Sequence, residues 1–285
     1  MFAPNRPMLI VVALAVVGSV VGVPAVAASS HGSDTVGTQS SAHLRVVHAS
    51  PDAPAVDVSV DDQPVLSNVS FGAVSDYLSV AAGNHTVTIA ANETGDVVFE
   101  DTLTLGARTV TTVAASGEVS EDAETEFAPV ALNDNAYTPA ENESAVRLVH
   151  LSPDAPAVDV TVPPAEGSNG TLVLADNLSF GESTGYMAVP AGDYEVQIRA
   201  DTPENDGDVV TTVNVTLASE TAYSAMAVGY LNPDDAPADT PFEVVTSEDA
   251  TRTLHLPGMA AGMAADDENA TESPDEPRTP APPPE

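Results

Sequence analysis

The chain contains no cysteine, no tryptophan and no lysine, and only seven of its 285 residues are basic, all of them arginine. Without cysteine there is no disulfide framework, no thiolate nucleophile and no site for lipid attachment at an N-terminal cysteine. Without lysine there is no phosphate-cradling G-x-x-x-x-G-K loop, and no histidine stands in an H-E-x-x-H metal motif. Aromatic residues make up 4% of the chain, and against the seven cations stand 43 acidic residues, for a formal net charge of −36. That charge disfavours any polyanionic partner and excludes nucleic acid as the expected one. Hydrophobic residues nevertheless reach 43%, too many for an acidic disordered polymer.

A foldable chain so charged repels itself at low ionic strength, whereas at 1 M salt the Debye length falls to about 3 Å and the repulsion is largely screened. The acidic, lysine-free composition resembles that of proteins from salt-loving archaea, so hydrated salt ions are the expected surface partners. Calcium loading, or a surface that repels anionic polymers, is the alternative reading of the same charge. The N-terminus speaks to compartment. Met8–Val23 is a run of sixteen apolar or small residues, preceded by Arg6 and followed by Pro24 and Ala25-Val26-Ala27. A cationic start, a short apolar core and an A-x-A exit predict a signal peptide over 1–27, and sixteen residues are short for a membrane span of about 20. A secreted or surface-associated mature protein without a membrane span is expected.

The chain then repeats itself. Residues 44–60 (LRVVHASPDAPAVDVSV) and 146–162 (VRLVHLSPDAPAVDVTV) agree at 13 of 17 positions. Downstream, Asn68-Val69-Ser70-Phe71-Gly72 returns as Asn177-Leu178-Ser179-Phe180-Gly181, and Tyr77 returns as Tyr186. The offset is that of a whole domain rather than a solenoid unit. Val56–Val60, His85–Ile89 and Tyr194–Ile198 alternate apolar and polar residues, the period of a half-buried strand, and Gly/Asn/Asp turns separate them. About seven short strands per hundred residues predict an all-β chain of two tandem immunoglobulin-like β-sandwich domains. The expected layout is a disordered leader at 28–41, domain 1 at 42–131, a polar linker at 132–144, domain 2 at 145–249 and a disordered acidic, Pro-rich tail at 250–285. Leu254–Met263 is a mildly apolar stretch within that tail with no assigned role.

The repeated box comprises Arg45, His48, Ser50, Asp52 and Asp57 in the first copy and Arg147, His150, Ser152, Asp154 and Asp159 in the second. Two prolines break the strand after the histidine, and Ser and Asp suit a turn whose side chains bond backbone amides. In this box, R-x-x-H-x-S-P-D-A-P-x-V-D-V, and in the S-x-x-x-Y and A-G turn that follow, the chain resembles the domain of unknown function 4397 family over nearly all of 42–249. Pro163–Gly170 is an insertion of the second copy. The resemblance implies secreted or envelope-associated proteins, often with tandem copies, and no known activity.

Histidine and aspartate in the box are metal-ligand types, but without the spacing of a strong metal motif, so a structural turn lock is preferred and no metal, cofactor or catalytic residue is assigned. Asp201–Asp208 has oxygen ligands suited to calcium but not the order of an EF-hand loop, and is read as a hairpin turn. Each box arginine is expected to pair with an acid of its own domain, Asp52 or Asp57 and Asp154 or Asp159, because guanidinium suits bidentate carboxylate pairing.

Eight of thirteen asparagines, Asn68, Asn84, Asn92, Asn142, Asn169, Asn177, Asn214 and Asn269, lie in Asn-x-Ser/Thr sequons, where chance gives about two, and are glycosylation candidates. The function expected is a non-enzymatic extracellular module, serving adhesion, envelope structure or binding of an envelope or extracellular ligand. A secreted hydrolase using a loop carboxylate pair and a calcium-stabilised adhesin are the alternatives.

Overall fold

A computed structural model describes residues 40–120, 123, 125–164 and 170–252. The expected signal peptide, the leader up to residue 39, the tail from 253 onward, Asn169 and Asn269 lie outside these residues. The chain is all-β. In the first copy the strands are β1 (Ser41–His48), β2 (Val56–Val60), β3 (Gln63–Val69), β4 (Leu78–Ala81), β5 (Gly83–Ala91), β6 (Val97–Leu105), β7 (Val110–Ala115) and β8 (Val130–Asn133). The second copy repeats them as β9 (Glu143–His150), β10 (Val158–Val162), β11 (Leu172–Leu178), β12 (Met187–Pro190), β13 (Gly192–Ala200), β14 (Val209–Leu217), β15 (Thr221–Val228) and β16 (Glu243–Asp249).

Each copy is a sandwich of two four-stranded sheets. The orders are β4-β1-β7-β8 over β3-β2-β5-β6 in domain 1, and β12-β9-β15-β16 over β11-β10-β13-β14 in domain 2. All pairings are antiparallel except β1 with β7 and β9 with β15. Alternation places the cores. Val56, Val58 and Val60 of β2 face Leu44 and Val46 of β1, with Val87, Ile89, Leu103 and Leu105 filling the space between. Val158, Val160, Leu148 and Ile198 do the same in domain 2.

Strands β1 and β9 are covered on both faces, which explains their nearly continuous apolar sequence. Their second face meets the other domain. Val47, Ala114 and Leu132 pack with Val149, Met226 and Val228 in a third apolar cluster shared by the two copies. Each valine or methionine so buried contributes roughly 1.5–3 kcal/mol. The two domains are therefore stacked through their β1 and β9 sheets.

Three segments differ from the layout expected from sequence, the linker, the leader and the tail. Residues 132–144, expected as a polar linker, contain the end of β8 and the buried Asp134 and Ala136. Ser41, assigned to the leader, opens β1, and Arg252, assigned to the tail, bridges Tyr137. Polar composition suggested a connector, but Asp134 and Ser144 of this stretch are buried in the fold. Each copy also needs one glycine after its seventh strand. Gly117 and Gly229 have φ of +86° and +81°, and a Cβ there would lie 2.2 Å and 2.3 Å from the carbonyl oxygens of Glu126 and Pro241.

Candidate functional site

The box residues are consumed by the fold. His48 is fully buried, and its Nε2 lies 3.0 Å from the Pro54 carbonyl; His150 repeats this with Pro156 at 3.1 Å. A carbonyl only accepts, so each Nε2 carries the proton and each ring closes its Pro-Asp-Ala-Pro turn. Phe71 and Phe180 meet the same rings edge-on at 6.3 Å and 6.4 Å. Asp52 accepts from the backbone amides of Val119 and Ser120, and Asp154 from those of Leu231 and Asn232. Those amides follow β7 and β15, so the carboxylates tie the turn to a segment far along the chain, not to amides within the turn. Asp57 accepts from the Asn68 amide and the Asn92 side chain, and Asp159 from the amides of Asn177 and Thr202. The Ser50 and Ser152 hydroxyls each reach the aspartate two residues on, at 3.3 Å.

Burial lowers the pKa of both box histidines below the ordinary imidazole value, because the charged form loses its water. The unfolded chain then binds more protons than the fold as pH drops through the unfolded value near 6.5. Their contribution is fully present above that value and is lost progressively below it. His85 has the opposite sign, since its hydrogen bond to Asp61 raises its pKa and favours the fold under acid. With two buried histidines against one, we expect the melting temperature at fixed high salt to fall between pH 7 and pH 5. In a His48→Gln/His150→Gln variant that slope should flatten, and an unchanged slope would remove the histidines as its cause.

The arginines pair with acids outside the box, at 3.7 Å within their own domain and at shorter distance across to the other. Neither Arg45 nor Arg147 bonds to Asp52, Asp57, Asp154 or Asp159. They lie on the outer faces of β1 and β9, beside Val47 and Val149, and point at the opposite domain. Arg45 Nη2 donates to Asp249 Oδ1 at 2.5 Å, and Arg147 Nη2 to Asp134 Oδ1 at 2.7 Å. Each guanidinium also lies 3.7 Å from the other aspartate. Both Arg Nη1 atoms donate to carbonyls next to these acids, Glu248 O at 2.9 Å and Asn133 O at 3.1 Å. Thr112 and Ser224 accept from the Arg Nε atoms and donate to Asp134 and Asp249. Tyr77 and Tyr186 bond the same carboxylates, and their rings lie under Arg45 and Arg147 at 4.6 Å and 4.8 Å.

This is a two-fold arrangement: each domain supplies one arginine, one aspartate, one tyrosine and one hydroxyl, and the arginines cross. The same relation recurs where Thr125 bonds Pro153 O and Thr240 bonds Pro51 O. Near them the Tyr230 hydroxyl donates to buried Glu118 at 2.8 Å. The repeated tyrosine was visible in sequence. Asp134 and Asp249 were not, because they are two of 43 acids, their neighbours differ, and the Pro163–Gly170 insertion changes their spacing from the arginines.

Carboxylates of Asp159, Asp176 and Asp201 come together with oxygens within 4.8 Å of one another. Desolvation, then the neighbouring Asp159, raises the Asp201 pKa. The sequon asparagines within the described residues, Asn68, Asn84, Asn92, Asn142, Asn177 and Asn214, are all exposed. Asn68 and Asn177 hold left-handed φ of 53° and 52° at equivalent turns. Gly181-Glu182-Ser183-Thr184-Gly185 has the G-x-S-x-G spacing of a nucleophile elbow, which corrects the expectation that the chain holds no such match. That elbow needs a strand-to-helix turn. Here exposed Ser183 sits between β11 and β12, bridged to Val149.

The chain belongs to the family described as Domain of unknown function (DUF4397), whose model matches residues 42–161 and 167–256. No curated protein sequence matches it. Among solved structures it is similar to a family 26 carbohydrate-binding module from Eubacterium rectale Amy13K in complex with maltoheptaose. Identity is 9% over 74% of this chain and 97% of that one, with a TM-score of 0.23. Family 41 carbohydrate-binding modules from streptococcal virulence factors align at 19% identity over 65% of this chain and 93% of theirs, with a TM-score of 0.20. The Bacillus anthracis TIE protein aligns at 8% identity over 66% of this chain and 33% of its own, with a TM-score of 0.21. Likenesses this distant carry no argument about this chain. Among the described residues no helix is long and apolar enough to cross a membrane.

Proposed function

We propose that the protein is a secreted, non-enzymatic cell-surface or extracellular binding module adapted to high salt, in which two copies of the domain act as one body. The observation that carries this reading is the fate of the repeated box. Its histidines and aspartates are bonded to backbone carbonyls and amides, so the residues most suited to acid–base chemistry work as turn locks. The hydrolase and calcium-adhesin alternatives both need free carboxylates. Of the three clustered acids, the buried Asp159 already accepts two backbone amides. Repetition of the box in both domains also fits a structural role, since a catalytic site would need only one copy.

The test uses native protein from cells grown in molar salt. We expect it in the envelope or medium fraction, beginning after the Ala25-Val26-Ala27 exit, with a mass above that of the peptide from glycans on at least one of Asn68 and Asn177. Recovery from the cytoplasm with Met1 retained would overturn the localisation, and a bare peptide mass would overturn the modification.

A further inference from the structure

Because the two domains share one frame, each position of domain 2 can be compared with its partner in domain 1. Strand pairing fixes the correspondence. Phe99 lies opposite Ile89, and Thr211 opposite Ile198; Leu103 lies opposite His85, and Val215 opposite Tyr194. Thr112 and Ser224 stand opposite the two arginines, which makes Val113 and Ala225 equivalents. At these three core positions domain 2 has the smaller residue. In domain 1, Leu103 and Val113 are each 7% exposed, and Phe99 meets Phe127 edge-on at 6.3 Å across the sandwich. Domain 2 keeps the second ring as Phe242 but offers it Thr211.

The missing volume is not recovered by collapse. A cavity of about 280 Å³ lies between the sheets of domain 2, reaching the edge strands β14 and β16, and Val215 and Ala225 both line it. Domain 2 is also more apolar where the cavity is lined: Leu172 replaces Gln63, and Val213 replaces Asp101. In a chain with 43 acids, no carboxylate and no arginine among the described residues lines this space. Its one imidazole, His150, is neutral and bonded to Pro156.

We propose that the interior of domain 2 is a binding site for an uncharged aliphatic ligand, and that domain 1 is its filled counterpart. An apolar cavity of roughly 150 Å³ accepts benzene, so the space here suits a chain on the order of ten carbons. A fatty-acid anion is disfavoured, because no cation lines the cavity and the net charge of −36 opposes it. The proposal deepens the binding-module reading and rests on it. Failure to bind an aliphatic probe would remove the proposal, while envelope association would still test the reading by itself.

The experiment is a series of thermal melts of the mature chain in molar salt with hexanol, decanol, tetradecanol and decanoate. Decanol should raise the melting temperature by several degrees at large excess over its Kd. Hexanol should raise it less, tetradecanol no more than decanol, and decanoate should leave it unchanged. Restoring the side chains of domain 1 at positions that line the cavity, as Val215→Leu/Ala225→Val or as Val213→Asp, should abolish the decanol shift. No shift in the wild type, or an undiminished shift in folded variants, would overturn the proposal. If neither variant folds, contacts between decanol and the Val215 and Ala225 methyls in wild-type NMR spectra decide, and their absence overturns it. Once decanol binding is seen, phosphatidylcholine vesicles distinguish its natural source: sedimentation with them marks a lipid tail, and remaining in solution marks a free ligand.

Discussion

Replacing Arg45 with alanine is expected to cost about 3–5 kcal/mol of stability even in molar salt. The two arginines and the two aspartates they pair with balance in charge, and all four side chains are at most 4% exposed. Removing one guanidinium leaves two buried carboxylates against one cation, and water cannot reach them to compensate. Bulk salt screens exposed charges and does little for buried ones, so the loss should persist across the salt range in which the protein folds. The two-fold arrangement adds a sharper expectation: Arg147→Ala should cost about as much as Arg45→Ala. In a double-mutant cycle, Arg45→Ala with Asp249→Asn should be far less damaging than the sum of the two single changes. An Arg45→Ala protein that melts like wild type in high salt would remove the network as the lock between domains. So would additive effects in the cycle.

Lowering the salt is expected to abolish the fold altogether. Below a few tenths molar salt the mature protein should lose its cooperative unfolding transition, because the Debye length grows and the self-repulsion of 43 acids against the six arginines that follow residue 27 is no longer screened. The arginine–aspartate network contributes no relief, since its charges already cancel in the interior. A thermal melt unchanged between molar and near-zero potassium chloride would end the high-salt argument. A chelator series at constant ionic strength separates screening from divalent-ion binding: with screening as the cause, chelation should leave the melt unaltered.

Local pattern alone determined much of this protein. The box repeated at 44–60 and 146–162 defines two copies, strands such as Val56–Val60 and Tyr194–Ile198 alternate visibly, and the two prolines of each box mark its turn. These features are legible because strand periodicity and proline geometry act over a few residues. The family was legible for the same reason, since its motif is contiguous.

Tertiary structure decided which residues meet. Arg45 and Arg147 were conspicuous as rare cations at a repeated position, and a pairing within each domain was the economical expectation. It holds for the longer contacts, Arg45 with Asp134 and Arg147 with Asp249 at 3.7 Å, but the shorter bonds cross to the other domain, because strand alternation puts each arginine on the face away from its own sandwich core. The partners Asp134 and Asp249 lie 89 and 204 residues from Arg45, and no local rule links such positions. Asp134 sat in a stretch whose polarity suggested a linker, and its one side chain is spent on the buried network while most polar residues around it stay exposed. The domain 2 cavity was hidden for a related reason. Val215 and Ala225 are each unremarkable strand residues, and only the register of β14 and β15 against their neighbours shows that both replace larger side chains in one shared space.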